Sequence, residues 1–353
     1  MKVQGILVAT VCLLLCFAGC AGPGQTETTS SGESHSAEST APLDDADFQQ
    51  ESAGFAPTDQ MTEPFTVSTP IQEVMDDPIF GKYGRLLFPV EDWYMSGDTL
   101  GELQLTWYNN IDPNETVEIV NTLWRRANAG ETVFYDIYTE EEKAEDPDKK
   151  DTGLFFFKGD PGAKFAVCNA GDGFVYVGAM QDSFPHALEI SKRGYNAFAL
   201  IYRPGAQTAC EDLARAISFI FEHAEELEVD TEGYSLWGGS AGARMAAWLG
   251  SYGPAAFGGD ELPRPGAVIM QYTGHSDYTE NGPPTFACVG ERDGIANWRT
   301  MQRRIEALDA LGIPTEFHHY PGLPHGFGLG TGTVAEGWLD DCLLYTSDAA
   351  DEL

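Results

Sequence analysis

Ser240 lies in the sequence Gly238-Gly239-Ser240-Ala241-Gly242, between two segments of contrasting pattern. The preceding residues, YSLWG, are typical of a buried strand, and the following residues, AGARMAAWLG, are typical of a helix. A serine between a strand and a helix stands on a sharp turn, with its hydroxyl exposed at the helix N-terminus. The glycines prevent collisions between the turn and its neighbours. This context predicts a nucleophile elbow, although an incidental serine in a glycine-rich loop would explain the glycines equally well.

A serine hydroxyl needs a general base, and the base needs an acid that orients it. Asp293 follows the strand pattern TFACVG, and His325 follows the strand pattern TEFHHY, in the loop GLPHGFG. Ser240, Asp293 and His325 therefore each stand at the carboxyl end of a predicted strand. This order and placement predict a catalytic triad.

Other residues compete for the roles of acid and base. Asp277 follows the preceding strand and stays open as an alternative acid, whereas Glu291 is interpreted as still leaving the strand before Asp293. His318 and His319 fall inside a strand pattern, where a structural role is the ordinary interpretation. The remaining histidines precede Asp293 in the chain: His35, His186, His223 and His275.

The elements that position these residues alternate regularly from Lys164 onward. Short apolar strands such as KFAVCN, NAFALI and GAVIMQY are separated by amphipathic helices such as CEDLARAISFIFEHAEEL. Strands of consecutive apolar residues that alternate with helices predict a mostly parallel central sheet with helices on both faces. In such a sheet, reactive groups gather in the loops at the carboxyl ends of the strands.

Over residues 155–341 this arrangement resembles the α/β-hydrolase fold, and within it the bacterial esterase/lipase branch of acetylesterase-like enzymes. The order Ser240, Asp293, His325 is the most specific element of the resemblance. The resemblance implies a serine hydrolase that cleaves carboxylic esters through an acyl-enzyme. It implies no metal and no organic cofactor.

The same resemblance implies an oxyanion hole in the loop NAGDGF, which follows the strand KFAVCN. Backbone N–H groups of Gly171, Asp172 and Ala241 would bind the oxyanion. Relatives carry glycine where this chain has Asp172, and a carboxylate about 6 Å from an oxyanion opposes it by roughly 3 kcal/mol. The Asp172 side chain must therefore point away, meet a cation or be protonated.

Charge and cysteine content narrow the possible partners. The chain has 20 basic and 55 acidic residues, a net charge of −35, which disfavours binding to nucleic acid and to anionic lipid headgroups. Apart from the two ends, the chain has three cysteines, an odd number without paired spacing: Cys168, Cys210 and Cys288. They are therefore expected to be small buried hydrophobes, with neither a disulfide framework nor a zinc site.

The N-terminus predicts export. Residues 1–19 have a lysine, a short apolar run and small residues, as in a signal peptide. Phe17-Ala18-Gly19-Cys20 resembles a bacterial lipobox, so Cys20 is the expected lipidation site, with plain secretion as the alternative. Residues 20–70 are poor in large apolar side chains and predict a disordered tether. The expected location is the outer face of a bacterial membrane, with the membrane reached only through this anchor.

Two further divisions follow along the chain. The pattern of residues 71–152 predicts a helix after Asp112 and early strands. This segment is interpreted as an N-terminal addition to the catalytic domain, which is expected at residues 153–341. Residues 342–353 resemble the translation of a sequencing adapter, with a natural polar tail as the alternative. The native chain is therefore expected to continue differently after Asp341.

The substrate is the least determined feature. Short acyl esters, including carbohydrate-linked ones, fit the resemblance and the expected location. Trp93, Tyr94, Trp107 and Tyr108 could line a sugar-binding cleft, although such aromatic residues often serve packing. A peptidase or amidase on the same fold and a non-catalytic binding lipoprotein stay open as alternatives, and the oligomeric state does not follow from the sequence.

Overall fold

The computed structural model describes residues 63–107 and 111–343. Its strands are β1 (Met95–Ser96), β2 (Gln104–Leu105), β3 (Phe134–Tyr135), β4 (Gly153–Phe157), β5 (Lys164–Asn169), β6 (Asn196–Ile201), β7 (Asp230–Gly239), β8 (Ala267–Gln271), β9 (Thr285–Gly290) and β10 (Thr315–Tyr320). Its α-helices are α1 (Ile71–Met75), α2 (Pro113–Asn128), α3 (Glu140–Glu145), α4 (Ala179–Asp182), α5 (Phe184–Lys192), α6 (Ala206–Glu222), α7 (Ala224–Leu227), α8 (Ala241–Tyr252) and α9 (Trp298–Ala310). Residues 338–343 are also helical.

The central sheet has eight strands in the order β3-β4-β6-β5-β7-β8-β9-β10. β4 pairs antiparallel with β3 and with β6, while every pair from β6 to β10 is parallel. The parallel strands are almost entirely buried, as expected for a sheet covered on both faces. The predicted fold class, a mostly parallel sheet between helices, is confirmed.

The register brings the carboxyl ends of the central strands to one edge. Asn169 at the end of β5 is paired with Gly238, Gly239 at the end of β7 with Gln271, and Tyr320 at the end of β10 with Gly290. The loops that carry the predicted site residues leave the sheet at these positions. The register therefore places these loops side by side.

Helices cover both faces of the sheet. α5 packs against β4, β5 and β6, and α8 packs against β5, β7 and β8 with α6 beside it. On α5, Phe184 contacts the rings of Phe155 and Phe157. Trp338, in the helical residues 338–343, contacts Trp237 and Phe286. The core is thus made of aromatic and aliphatic side chains from both layers.

The N-terminal part joins this core earlier than the sequence predicted. Phe65, placed in the tether at residues 20–70, is buried, and its backbone exchanges hydrogen bonds of 2.9 and 3.2 Å with the Asn121 side chain. A buried phenylalanine with a paired backbone belongs to a folded body. The predicted helix after Asp112 is α2, whose N-terminus is capped by the Asp112 carboxylate.

Several predictions concern residues outside the described ranges: the signal peptide, Cys20, the tether up to residue 62, Tyr108 and residues 344–353. Within the described ranges, no helix is both long enough and apolar enough to cross a lipid bilayer. Cys168, Cys210 and Cys288 are buried and free, and Cys342 is buried as well.

Candidate active site

Ser240 occupies the turn between β7 and α8. Its φ and ψ are 51° and −109°, a conformation that L-residues rarely adopt. The Ser240 N–H donates to the carbonyl of Gln271 at the end of β8, at 3.0 Å. This strained backbone places the serine directly before the N-terminus of a buried helix.

Each elbow glycine is required by a close approach of neighbouring atoms. A Cβ on Gly238 would lie 2.2 Å from the Gly242 carbonyl carbon, and a Cβ on Gly242 would lie 2.0 Å from the Asn169 oxygen. A Cβ on Gly239 would lie 2.3 Å from a carboxylate oxygen of Asp182. Gly238 and Gly242 therefore let β5, β7 and α8 meet at the turn, and Gly239 makes room for Asp182 of α4.

The structure brings Ser240, His325 and Asp293 together. Ser240 Oγ lies 3.1 Å from His325 Nε2, and His325 Nδ1 lies 2.7 Å from Asp293 Oδ2. The other Asp293 oxygen accepts the N–H groups of Ile295 and Ala296 at 2.8 and 2.7 Å. Because the Asp293 carboxylate is fully buried and held in this way, it fixes the imidazole with Nδ1 as donor and Nε2 facing the serine.

Backbone contacts join the acid loop to the base loop. The N–H of Arg292 donates to the Leu323 carbonyl at 3.0 Å, and a Cβ on Gly290 would lie 2.0 Å from that same oxygen. The side chain of Gln181 donates to the Gly326 carbonyl at 3.1 Å, directly after His325. The His325 loop is thus held from two sides.

The alternative acid and bases are engaged elsewhere. Asp277 accepts a hydrogen bond from the Tyr252 hydroxyl at 2.7 Å. Glu291 lies 2.7 Å from His319, and His318 pairs with Glu316 within β10. None of these side chains forms a hydrogen bond with Ser240 or His325 in the described structure.

The predicted oxyanion loop lies beside Ser240, but Gly171 does not fit its predicted role. A Cβ on Gly171 would lie 3.1 Å from the Ser240 Cβ, so the loop touches the serine. The Gly171 N–H, however, donates to the Asp182 carboxylate at 2.8 Å. Within residues 63–107 and 111–343, the N–H groups of Asp172 and Ala241 make no hydrogen bond. These two donors are therefore available to a developing oxyanion.

Asp172 is buried, with a positive φ of 74°. Its carboxyl group lies against Gly178 and Tyr176, although neither makes a hydrogen bond of ordinary geometry with it. Burial, reinforced by the charge of Asp182, raises the pKa of Asp172 well above its usual range. The neutral form is therefore favoured, which removes the electrostatic conflict that this residue posed in the oxyanion loop.

Asp182, at the end of α4, is a site residue that the sequence did not reveal. Its carboxylate is buried, accepts the Gly171 N–H and accepts the hydroxyl of Tyr272. Burial raises its pKa to about 6, against the opposing effects of the Tyr272 hydroxyl, His325 and the Gly171 N–H. The only sequence signal was a single acid in the apolar segment between the oxyanion loop and α5.

Comparison with known proteins agrees with this architecture. Residues 166–261 match the family model BD-FAE, a span that runs from β5 past α8 and includes Ser240 but neither Asp293 nor His325. The strand order, the single antiparallel strand β4 and the strand-serine-helix turn decide the fold. The fold is that of an α/β hydrolase.

Individual relatives are distant. The chain is 24% identical over 220 residues to endo-1,4-beta-xylanase B of Butyrivibrio fibrisolvens, which covers 50% of this chain and 33% of that protein. An acetyl ester-xyloside bifunctional hydrolase from Caldicellulosiruptor lactoaceticus is 20% identical, with a TM-score of 0.49 over 56% of this chain and 88% of the other. An esterase from Thermogutta terrifontis is 21% identical, with a TM-score of 0.49 over 56% and 89%.

An exposed aromatic surface borders the oxyanion loop. Trp93 and Trp107 are 74% and 54% exposed, and both approach the buried Tyr176 ring, Trp107 directly and Trp93 through Tyr94. A Cβ on Gly173 would lie 3.6 Å from the Trp107 ring. We call Trp93, Tyr94 and Trp107, which pack on or near the buried Tyr176 ring, the aromatic surface.

The described residues include no cluster of three or more His, Cys, Asp or Glu side chains that could hold a metal ion. The arrangement of Ser240, His325 and Asp293 can perform proton transfer and nucleophilic attack with side chains alone. Proton transfer and nucleophilic attack are the steps that acyl transfer requires.

Proposed function

We propose that this chain is a serine hydrolase of carboxylic esters and that Ser240, His325 and Asp293 form its catalytic triad. The observation that carries the proposal is the continuous contact from Ser240 Oγ through His325 to Asp293, at 3.1 and 2.7 Å, on a strained elbow. Ordinary packing does not require a serine in this conformation beside an oriented imidazole.

In the proposed reaction, Ser240 Oγ attacks the ester carbonyl while its proton passes to His325 Nε2. His325 then protonates the departing alcohol, which leaves an acyl group on Ser240. A water molecule attacks the acyl-enzyme, again with His325 as the base; the bond from the acyl carbon to Ser240 Oγ breaks, the carboxylic acid leaves, and His325 returns the proton to the serine. Asp293 accepts the Nδ1–H of His325 throughout and stabilises the imidazolium.

The oxyanion of each tetrahedral intermediate would accept the N–H groups of Ala241 and Asp172. Ala241 is the first residue of α8, so the positive end of the helix dipole adds to its own donor. Each such donor contributes about 3 kcal/mol to transition-state stabilisation. Gly171 supports the loop through Asp182 instead of donating to substrate.

We propose short acyl esters, including carbohydrate-linked ones, as the substrate class. The support is the aromatic surface next to the oxyanion loop, because exposed tryptophan rings suit the apolar faces of sugar rings. One relative is named as a xylanase. The net charge of −35 disfavours anionic substrates and nucleic acid.

The proposed location remains the outer face of a bacterial membrane, with Cys20 as the lipid attachment point. The support is the sequence of residues 1–20 alone. The proposed partner is the ester substrate, and the proposed reaction needs neither metal nor cofactor.

Hydrolysis assays test the proposed function. Nitrophenyl acetate, butyrate and longer esters, the matching anilides and acetylated xylan are offered to the wild type, Ser240→Ala and Ser191→Ala. Ser191 serves as the control because its hydroxyl donates within α5, to Leu188. We expect the fastest cleavage with the acetyl ester, a loss of about a thousandfold or more in Ser240→Ala, and no change in Ser191→Ala.

Two other results would favour the alternative functions. Anilides cleaved as fast as esters would indicate an amidase or peptidase. A folded wild type that hydrolyses none of these substrates would indicate a binding protein.

A further inference from the structure

We infer that Asp182 is a positioning residue of the active site. Its carboxylate, the second buried one beside that of Asp293, holds the oxyanion loop and stabilises the protonated form of His325. The inference rests on the proposed function, because it assigns Asp182 a role in the same reaction. It does not follow from the order of Ser240, Asp293 and His325.

The first part of the argument is where the Asp182 carboxylate lies. One oxygen accepts the Gly171 N–H at 2.8 Å, and the other accepts the Tyr272 hydroxyl. The Gly239 backbone is so close that a Cβ there would lie 2.3 to 2.6 Å from the carboxylate atoms. Asp182 thus contacts the oxyanion loop, the elbow and the end of β8 at once.

The second part is how α4 reaches His325. The Tyr272 ring, held by Asp182 through its hydroxyl, contacts the His325 ring edge-to-face with centroids 5.0 Å apart. Gln181, the neighbour of Asp182, donates to the carbonyl of Gly326. The last two residues of α4 therefore hold the base loop as well as the oxyanion loop.

The third part is the charge balance around Asp182. In the part of the chain that the structure describes, no lysine or arginine forms an ion pair with it. Its titratable neighbours are Asp172, Tyr176 and Tyr202 on the oxyanion side, His186 on α5, Tyr272 after β8, and His325. Burial favours neutral Asp172 and lowers the pKa of His186 to about 4. This leaves His325, the base of the proposed reaction, as the neighbour that carries a positive charge during proton transfer.

The consequence concerns the proton transfer itself. When Ser240 attacks, its proton moves to His325 Nε2 and an imidazolium forms. An ionised Asp182 stabilises this cation through a water-poor interior, where charges interact more strongly than in solvent. Asp182 neither gains nor loses a proton in the step.

Asp182→Asn tests the inference because asparagine has nearly the same shape. Its oxygen can accept the Gly171 N–H, and its amide can donate to the Tyr272 oxygen once that hydroxyl turns. We expect kcat for an acetyl ester to fall on the order of tenfold to a hundredfold, with KM unchanged. The acidic limb of the kcat/KM profile should move to lower pH, because His325 loses a negative neighbour that favours its protonation.

Asp277→Asn is the matched control. It removes the same charge from a carboxylate that faces Tyr252 instead of the site, so its kcat and its acidic limb should equal those of the wild type. Thermal unfolding adds a second readout. Burial raises the pKa of Asp182 to about 6, so the folded wild type at pH 8 carries a buried charge that lowers its stability. Asp182→Asn removes this charge and should therefore unfold at an equal or higher temperature than the wild type at pH 8.

Three results separate the possibilities. If the acidic limb of the kcat/KM profile of Asp182→Asn lies at the same pH as in the wild type, the inference is overturned, whatever happens to kcat. If the unfolding temperature also falls in that case, the role of Asp182 is purely structural. If the wild type itself is inactive, the proposed function fails. The inference is then decided by ¹⁵N NMR titration of His325, which should protonate at lower pH in Asp182→Asn than in the wild type, and equal titrations would overturn it.

Discussion

Asp172 sits in the oxyanion loop with a left-handed backbone and a carboxyl group that has no cation beside it in the described structure. A charged carboxylate there would oppose the oxyanion about as strongly as one backbone donor supports it. Burial resolves the conflict because it favours the neutral acid. In the proposed reaction, Asp172 therefore donates its N–H without contributing a charge.

We predict that Asp172→Gly keeps or raises kcat toward acetyl esters at pH 8. Glycine retains the N–H, adopts the positive φ of 74° without strain and cannot carry a charge. The measurement is steady-state kinetics beside Asp172→Asn, which keeps the side-chain volume. A fall in kcat of a hundredfold in the glycine variant would show that the carboxyl group has a catalytic role of its own.

Single residues differed in how far the sequence revealed them. The positions of Ser240, Asp293 and His325 were predictable because each follows a strand, and parallel strands end at one edge. The use of the Gly171 N–H was not predictable, because it depends on Asp182, eleven residues away, folding back under the loop. No local pattern in the sequence encodes that contact.

Among the elements, the small hairpin of β1 and β2 presents the exposed tryptophans beside the site. Met95 pairs with Leu105 and Ser96 with Gln104, so that Trp93 and Trp107 flank the same short ladder. Leu105 is buried, which fixes the hairpin to the core. The N-terminal addition thereby supplies a surface next to the oxyanion loop.

We predict that Trp107→Ala raises KM for acetylated xylan about fivefold or more and leaves kcat/KM for nitrophenyl acetate unchanged, because a small ester does not reach the aromatic surface. Leu311→Ala, an exposed apolar residue beyond the end of α9, is the control. Equal effects of Trp107→Ala on both substrates would argue against a carbohydrate-binding role for this surface.

The segment DSFPHALEISKRG shows why element boundaries were only partly predictable. Its apolar spacing predicts a helix that starts at Asp182, but in the structure Asp182 is the last residue of α4 and α5 begins at Phe184. Pro185 lacks the N–H that a continuous helix would donate to Gln181, so the helix breaks there. The break leaves Asp182 and Gln181 at a helix end, where both reach the site.

At the scale of the whole molecule, buried and half-buried carboxyl groups set the expected pH dependence of stability. Burial raises the pKa of Asp172 well above its usual range and that of Glu115 to about 7. Such groups bind more protons in the folded state, so their contribution to stability is lost as pH rises. His186 and His275, with pKa values lowered to about 4, act in the opposite direction, but only below about pH 6.5.

We therefore predict that the unfolding temperature falls between pH 6.5 and pH 8. Scanning calorimetry at both values, with and without 0.5 M NaCl, provides the measurement. Salt should raise the unfolding temperature, because it screens the repulsion between exposed acidic side chains in a chain of net charge −35. The fall of the unfolding temperature with pH should persist in salt, since buried groups are screened little. An unfolding temperature that rises from pH 6.5 to pH 8 would contradict the raised pKa values of Asp172 and Glu115.

The architecture of the whole molecule was the most predictable feature, because buried strands and amphipathic helices have distinct periods. The extent of the folded body was less predictable. Phe65 lies in a polar stretch, and the contacts that place it in the core are distant in sequence, such as its pairing with Asn121, 56 residues away.

The central claim is that Ser240 is an activated nucleophile. Its most direct test is labelling of the folded protein with a fluorophosphonate, followed by intact mass and peptide mapping, with Ser240→Ala and Ser191→Ala in parallel. We predict one adduct per chain, on Ser240, formed by the wild type and Ser191→Ala and absent from Ser240→Ala. A folded wild type that stays unlabelled, or an adduct on another residue, would contradict the claim.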